Sequence, residues 1–131
     1  MTGRDEITAL LREAYAARQR GALDAIGRAF APHARFRMAG SKTSPIAVMA
    51  EGANQYRPLI AEMIKLLDYA ILNLLIDGSK AVVQWRTRLR SFITGEAVET
   101  DPCDLIESEN GQISSFLEFF DTAMAARLMK A

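Results

Sequence analysis

The chain has 131 residues, half of them hydrophobic, and 16 Lys+Arg balance 16 Asp+Glu. That length predicts one domain over residues 1–131, and the apolar content excludes a disordered chain. Zero net charge argues against a nucleic-acid partner, which would need a basic face, and the lone cysteine, Cys103, excludes an internal disulfide.

In chain order, residues 4–20 carry Ile7, Leu10, Leu11, Ala14 and Tyr15 at helical spacing on one face. Thr2 and Asp5 resemble a capping box, and Gly21 predicts the stop. A second short helix buries Leu23, Ile26 and Phe30 and ends at Pro32. Residues 34–39 alternate Arg35 and Arg37 against Phe36 and Met38, which predicts a short strand. The stretch 40–45 (GSKTSP) reads as a loop. A third helix is expected over 54–67, with Pro58 in its first turn and an inner face of Tyr56, Leu59, Ile60, Met63 and Leu67. No apolar stretch approaches the ~18 residues that cross a bilayer, and the charged start lacks a secretion signal. A cytoplasmic protein with no membrane partner is expected.

Residues 69–121 then read as an antiparallel meander of four strands, followed by a closing helix over 122–130. Asn110-Gly111 is a strong two-residue hairpin signature, because both residues tolerate φ > 0. A simple hairpin there sets Cys103 opposite Glu118, Leu105 opposite Phe116 and Asp101 opposite Phe120. These share one face, and Asp104, Ile106, Leu117 and Asp121 share the other. A turn at Thr94-Gly95 would pair Arg90 with Glu99 and Arg88 with Asp101. Pro102 cannot donate to a ladder, and a bulge there is the favoured reading, since it joins Trp85, Thr87 and Leu89 to the other apolar set. The last strand is apolar on both faces (Phe116, Leu117, Phe119, Phe120), so both need cover. Helices cover one, and a second copy is expected on the other, giving a homodimer through the sheet face.

The order of elements, with GALDAIGRAFAPHARF, VVQWRTRL and the ending NGQISSFLEFFD, resembles the nuclear transport factor 2-like superfamily, in its SnoaL-like polyketide-cyclase and ketosteroid-isomerase-like branch. The resemblance runs from about Ile7 to Ala126. It implies an α+β fold in which a cone-shaped, curved antiparallel sheet wraps around N-terminal helices (a cystatin-like α+β barrel), with an apolar pocket inside and frequent dimers. It implies no cofactor. The family's isomerase uses a carboxylate base, a tyrosine and a protonated aspartate. The resemblance sets these at Met38, at Ala14 with Tyr15 one residue out of phase, and at Cys103, so isomerisation by that route is not expected. The cyclase branch relies on a late aspartate, matched by Asp121.

Two carboxylates are therefore the candidate proton carriers. Glu118 stands between Phe116 and Phe120, where burial would favour holding a proton. It also reads as the structural partner of an inward arginine such as Arg37. Asp121 is either a pocket-rim acid/base or the N-cap of the last helix. The side chains expected around a small hydrophobic ligand are Tyr15, Phe36, Met38, Tyr56, Ile60 and Met63 from the first half of the chain. Trp85, Thr87, Cys103, Phe116 and Phe120 come from the meander. Cys103 reads equally as a small buried hydrophobe. His33, the only histidine, reads as a surface turn residue. Two functions stay open: acid/base catalysis on a hydrophobic, polyketide-like substrate, or a non-catalytic binding or assembly module.

Overall fold

The computed structural model describes residues 3–39, 49–51 and 64–128. Its elements are α1 (Arg4–Arg20), α2 (Leu23–Ala29), β1 (Phe30–Met38), β2 (Met49–Glu51), β3 (Ile64–Asp77), β4 (Lys80–Ser91), β5 (Ala97–Thr100), β6 (Cys103–Glu109), β7 (Gln112–Phe119) and α3 (Thr122–Leu128). The fold is α+β, with a curved, unclosed sheet packed on the N-terminal helices. The sheet order is β2-β1-β7-β6-β4-β3, and β5 pairs with β4. β1 runs parallel to β7, so the sheet is mixed rather than wholly antiparallel.

α1 buries Ile7, Leu11, Ala14, Tyr15, Ala17 and Arg18 along one stripe. Gly3 is its N-cap and makes no side-chain cap bond, while Thr2 lies outside the described residues. Gly21 adopts the left-handed conformation (φ 69°) that ends the helix, and the Ala22 N–H closes on the Ala17 carbonyl at 2.9 Å. α2 stops at Ala29, three residues before Pro32, and the chain passes directly into β1. His33 is exposed on that strand.

The expected third helix is corrected at its end: residues 64–67 are the start of β3, because Leu66 sits opposite Leu89 and completes the buried face of β4. The rest of that helix, with Tyr56, Ile60 and Met63, and the 40–45 loop lie outside the described residues. β3 and β4 pair over their whole length, with irregularities at Leu66/Asp68 and Ile71/Asn73. Such bulges bend a strand and sharpen its twist. Here they curl the sheet while keeping Leu66, Tyr69, Ile71, Leu74 and Ile76 packed against the core.

The meander departs from its expected register in two places. β4 keeps one register across both β5 and β6: Thr87 faces Thr100, Arg88 faces Glu99, Gln84 faces Cys103 and Lys80 faces Glu107. Pro102 therefore interrupts the ladder without inserting a residue, and its carbonyl accepts the Trp85 N–H at 3.1 Å. The slip lies instead in β7. Beside the Asn110-Gly111 turn (φ 51° and 78°), Glu109 faces Gln112 and Ser108 faces Ile113 as a simple hairpin requires, but Glu107 then faces Ser115. Ser114 is the extra residue. Beyond it Ile106 faces Phe116, Leu105 faces Leu117, Asp104 faces Glu118 and Cys103 faces Phe119. A one-residue slip exchanges the faces, so Asp104 turns inward with Glu118, and Cys103 pairs with Phe119, which is 48% exposed.

Candidate functional site

Tyr15 and Arg18 are three apart on α1, hence neighbours on one face of the helix. Trp85 comes from β4, Asp104 from β6 and Glu118 from the directly opposed position on β7. Asp104 is 0% exposed and Glu118 3%. Arg18 forks onto Glu118, with Nη1 donating to Oε2 at 2.9 Å and Nη2 to Oε1 at 3.4 Å. Its guanidinium also lies over the Trp85 ring, 5.2 Å from the centroid. The partner of Glu118 is thus Arg18, whereas the expected Arg37 is exposed on β1.

Asp104 Oδ2 accepts two hydrogen bonds, one from the Tyr15 hydroxyl and one from Trp85 Nε1 at 2.8 Å. The Tyr15 ring meets Trp85 edge-on at 5.2 Å, which fixes both donors. Among the described residues no donor faces Asp104 Oδ1. Glu118 stands directly opposite Asp104 across β6 and β7. Burial, and then the charge of Glu118, hold Asp104 well above the usual carboxylate range. Arg18 faces Glu118 as a fork. The arrangement is two buried, directly opposed carboxyls, with Glu118 held by the Arg18 fork and Asp104 favouring its protonated form. Burial, and then Asp104, likewise raise the Tyr15 hydroxyl well above its ordinary value, so it stays a donor.

Glu118, Arg18 and Trp85 form part of the wall of a cavity of about 60 Å³, several times the room one water needs. Met38, Thr87 and Phe120 line it as expected positions, and Leu66, Leu89, Thr100, Pro102, Met124 and Leu128 add to the wall. Its surface is almost wholly apolar apart from the carboxylate, the guanidinium and the threonine hydroxyls. Tyr15 and Phe116 lie behind it, on a second hollow of about 10 Å³. Phe36 is core, packed on Phe116 with ring centroids 5.5 Å apart.

Cys103 and Asp121 fall elsewhere. The β7 slip puts Cys103 on the strand face away from Asp104, and burial raises its thiol, so it remains uncharged. Asp121 is exposed; its Oδ1 accepts the Met124 N–H at 3.0 Å and caps α3. The resemblance had set the donor pair at Ala14 and Cys103. The side chains brought together are one residue on, at Tyr15 and Asp104. Arg18 was not singled out at all, although its spacing continues the face of Leu11, Ala14 and Tyr15.

A profile of the SnoaL-like domain matches residues 2–116. The chain belongs to the SnoaL-like domain family. No curated protein matches it by sequence. Among solved structures, a nuclear transport factor 2-like protein of unknown function from Burkholderia pseudomallei is 23% identical, with 100% of both chains covered and a TM-score of 0.81. An LEH-like epoxide hydrolase from M. tuberculosis is 15% identical over 95% of this chain and 90% of its own, with a TM-score of 0.76. A protein with a ketosteroid isomerase-like fold from Catenulispora acidiphila, in complex with trimethylamine, is 15% identical over 86% and 85%, with a TM-score of 0.73. At these identities the likeness is one of fold. Together with the SnoaL-like family match, it gives this chain a nuclear transport factor 2-like fold.

Proposed function

We propose that the cavity binds a small, neutral, largely apolar molecule and that Glu118 exchanges a proton with it. The observation that carries this is the pair of buried, directly opposed carboxyls, Asp104 and Glu118, the second of them on the wall of an apolar hollow. Two opposed carboxyls can accept and return protons at one place, which isomerisation, cyclisation and epoxide opening all require. Glu118 is the member that reaches the cavity. Arg18 fixes its orientation, and Asp104, held by Tyr15 and Trp85, is a positioning residue behind it. A neutral ligand fits best, since an anion would meet Glu118 and a cation would meet Arg18. The class of substrate proposed is a hydrophobic, polyketide-like ketone or, following the epoxide hydrolase that shares the fold, an epoxide.

A non-catalytic reading rests on one observation: the Arg18 fork engages both Glu118 oxygens, as a purely structural ion pair would. One experiment separates the two. Small apolar ketones and epoxides, with carboxylate and ammonium analogues, are screened by thermal shift, since a ligand of the native state raises the midpoint. Bound ketones are then followed for C–H exchange in deuterated water. Exchange in the wild type, lost in Glu118→Gln with binding kept, supports acid/base work. Binding without exchange leaves the binding module. Exchange that persists in Glu118→Gln removes Glu118 from the chemistry.

The partner proposed is a second copy of this chain, on the outer face of the sheet. Leu75, Val82, Leu105 and Leu117 follow one another across β3, β4, β6 and β7 in paired register. Leu75 is 65% exposed and Leu105 42%. Arg86 flanks this stripe together with Glu99 and Asp101, so both signs are available to a two-fold mate.

A further inference from the structure

α3 is a surface helix with one side on the cavity. Met124, Ala125 and Leu128 line the hollow, while Ala123 and Arg127 stand exposed. Seven residues make a helix that does not persist without its attachments.

Among the described residues, Leu128 and Met124 pack on the core, and polar contacts fix the helix at both ends. At the start, Asp121 caps the Met124 N–H. At the end, the Leu128 carbonyl accepts the Ser91 hydroxyl at 2.7 Å. Between them, Arg127 reaches Glu96 through Nε at 3.2 Å and Nη2 at 2.8 Å, in a pair exposed to water on both sides. Ser91 and Glu96 bracket the loop of residues 92–96 that joins β4 to β5. Ser91 Oγ accepts the N–H groups of Ile93 and Thr94 at 3.1 and 3.2 Å, and the Ser91 N–H closes on the Glu96 carbonyl at 2.9 Å. The loop is thus a braced post, and α3 is latched to it by one buried hydroxyl and one exposed ion pair.

We infer that α3 is the gate of the cavity, hinged at residues 120–121 and latched by Arg127 to Glu96 and by Leu128 to Ser91. Opening it breaks those two attachments and withdraws Leu128, Ala125 and Met124 from the wall, leaving the β4 side, with Trp85 and Thr87, in place. Sites that must admit ligands draw their moving parts from weakly attached segments of this kind. The inference concerns access and holds whatever chemistry the cavity performs.

The chain reports on its own gate. Trp85 is the only tryptophan, lines the cavity, and is 1% exposed. Acrylamide quenching of its fluorescence therefore reads how often the cavity opens. The variants are E96Q and R127Q, both at exposed side chains. The control is E107Q, which removes the exposed Lys80–Glu107 pair on another part of the sheet. In E96Q and R127Q the quenching slope rises several-fold and the amides of residues 122–128 exchange faster, with the melting temperature nearly unchanged, while E107Q behaves as wild type. Unchanged quenching in E96Q and R127Q, with or without faster amide exchange, overturns the gate. So does an equal rise in E107Q.

Discussion

Asp104 and Glu118 face each other directly across β6 and β7, both buried, with a guanidinium behind only one of them. Burial and the charge of Glu118 favour a proton on Asp104. It also makes the pair sensitive to pH, to charge removal and to the register that brought it together.

The first prediction concerns pH. The folded state holds Asp104 above its unfolded value of about 3.9. The native state therefore binds the extra proton, and its contribution is complete below about pH 4 and declines as pH rises through the raised value. Asp104→Asn keeps an acceptor for Tyr15 and Trp85 and a donor for Glu118, so it should remove that decline and cost about 1 kcal/mol or less at low pH. Asp104→Ala strands the Tyr15 and Trp85 donors, at about 1–3 kcal/mol each. Urea unfolding over a pH series checks both. A wild-type decline that survives in Asp104→Asn assigns it to another group.

The second concerns the ion pair. Arg18→Met leaves Glu118 buried without its partner and should cost about 3–5 kcal/mol. Adding Glu118→Met should restore much of that, because no charge is then left uncompensated. Arg18→Lys should fall between, since it keeps the charge but loses the fork and the stacking on Trp85. Denaturant melts of the double-mutant cycle measure the coupling. Additive losses would mean that the two side chains act independently.

The third concerns assembly. Leu105→Lys puts a charge in the middle of the outer stripe, away from the core, and should convert a dimer to a folded monomer. Sedimentation velocity reads the change. A wild-type chain that sediments as a monomer at high concentration removes the second copy from the account.

Much of this fold is legible in local sequence because its punctuation is local. Gly21 ends α1, and Asn110-Gly111 turns the last hairpin, each at a positive φ. The interior of the site is less legible. A simple hairpin carried outward from Asn110 pairs Cys103 with Glu118, and only the extra Ser114 undoes it. Nothing marks that residue, since Ser114 and Ser115 are small, polar and tolerated on either face. Pro102 looked like the irregular residue because it lacks an N–H, yet its carbonyl serves the ladder in register. The alternation in CDLIES fits either face equally, with one large aliphatic on each. Asp104 is inward because Tyr15, Trp85 and Glu118 meet it there, and those partners are 89, 19 and 14 positions away in the chain. Arg18 had a local clue: it continues the buried face of α1. Its charge argued against burial until its partner was in view.

The most direct test of the opposed carboxyl pair is a pH titration of ¹³C-labelled carboxyls by NMR, with Asp104→Asn and Glu118→Gln used to assign the two resonances. The account predicts that Asp104 titrates well above the ordinary aspartate range and that Glu118→Gln, which removes the opposed charge, brings that titration down. An Asp104 resonance that titrates in the ordinary aspartate range, and is indifferent to Glu118→Gln, would contradict it.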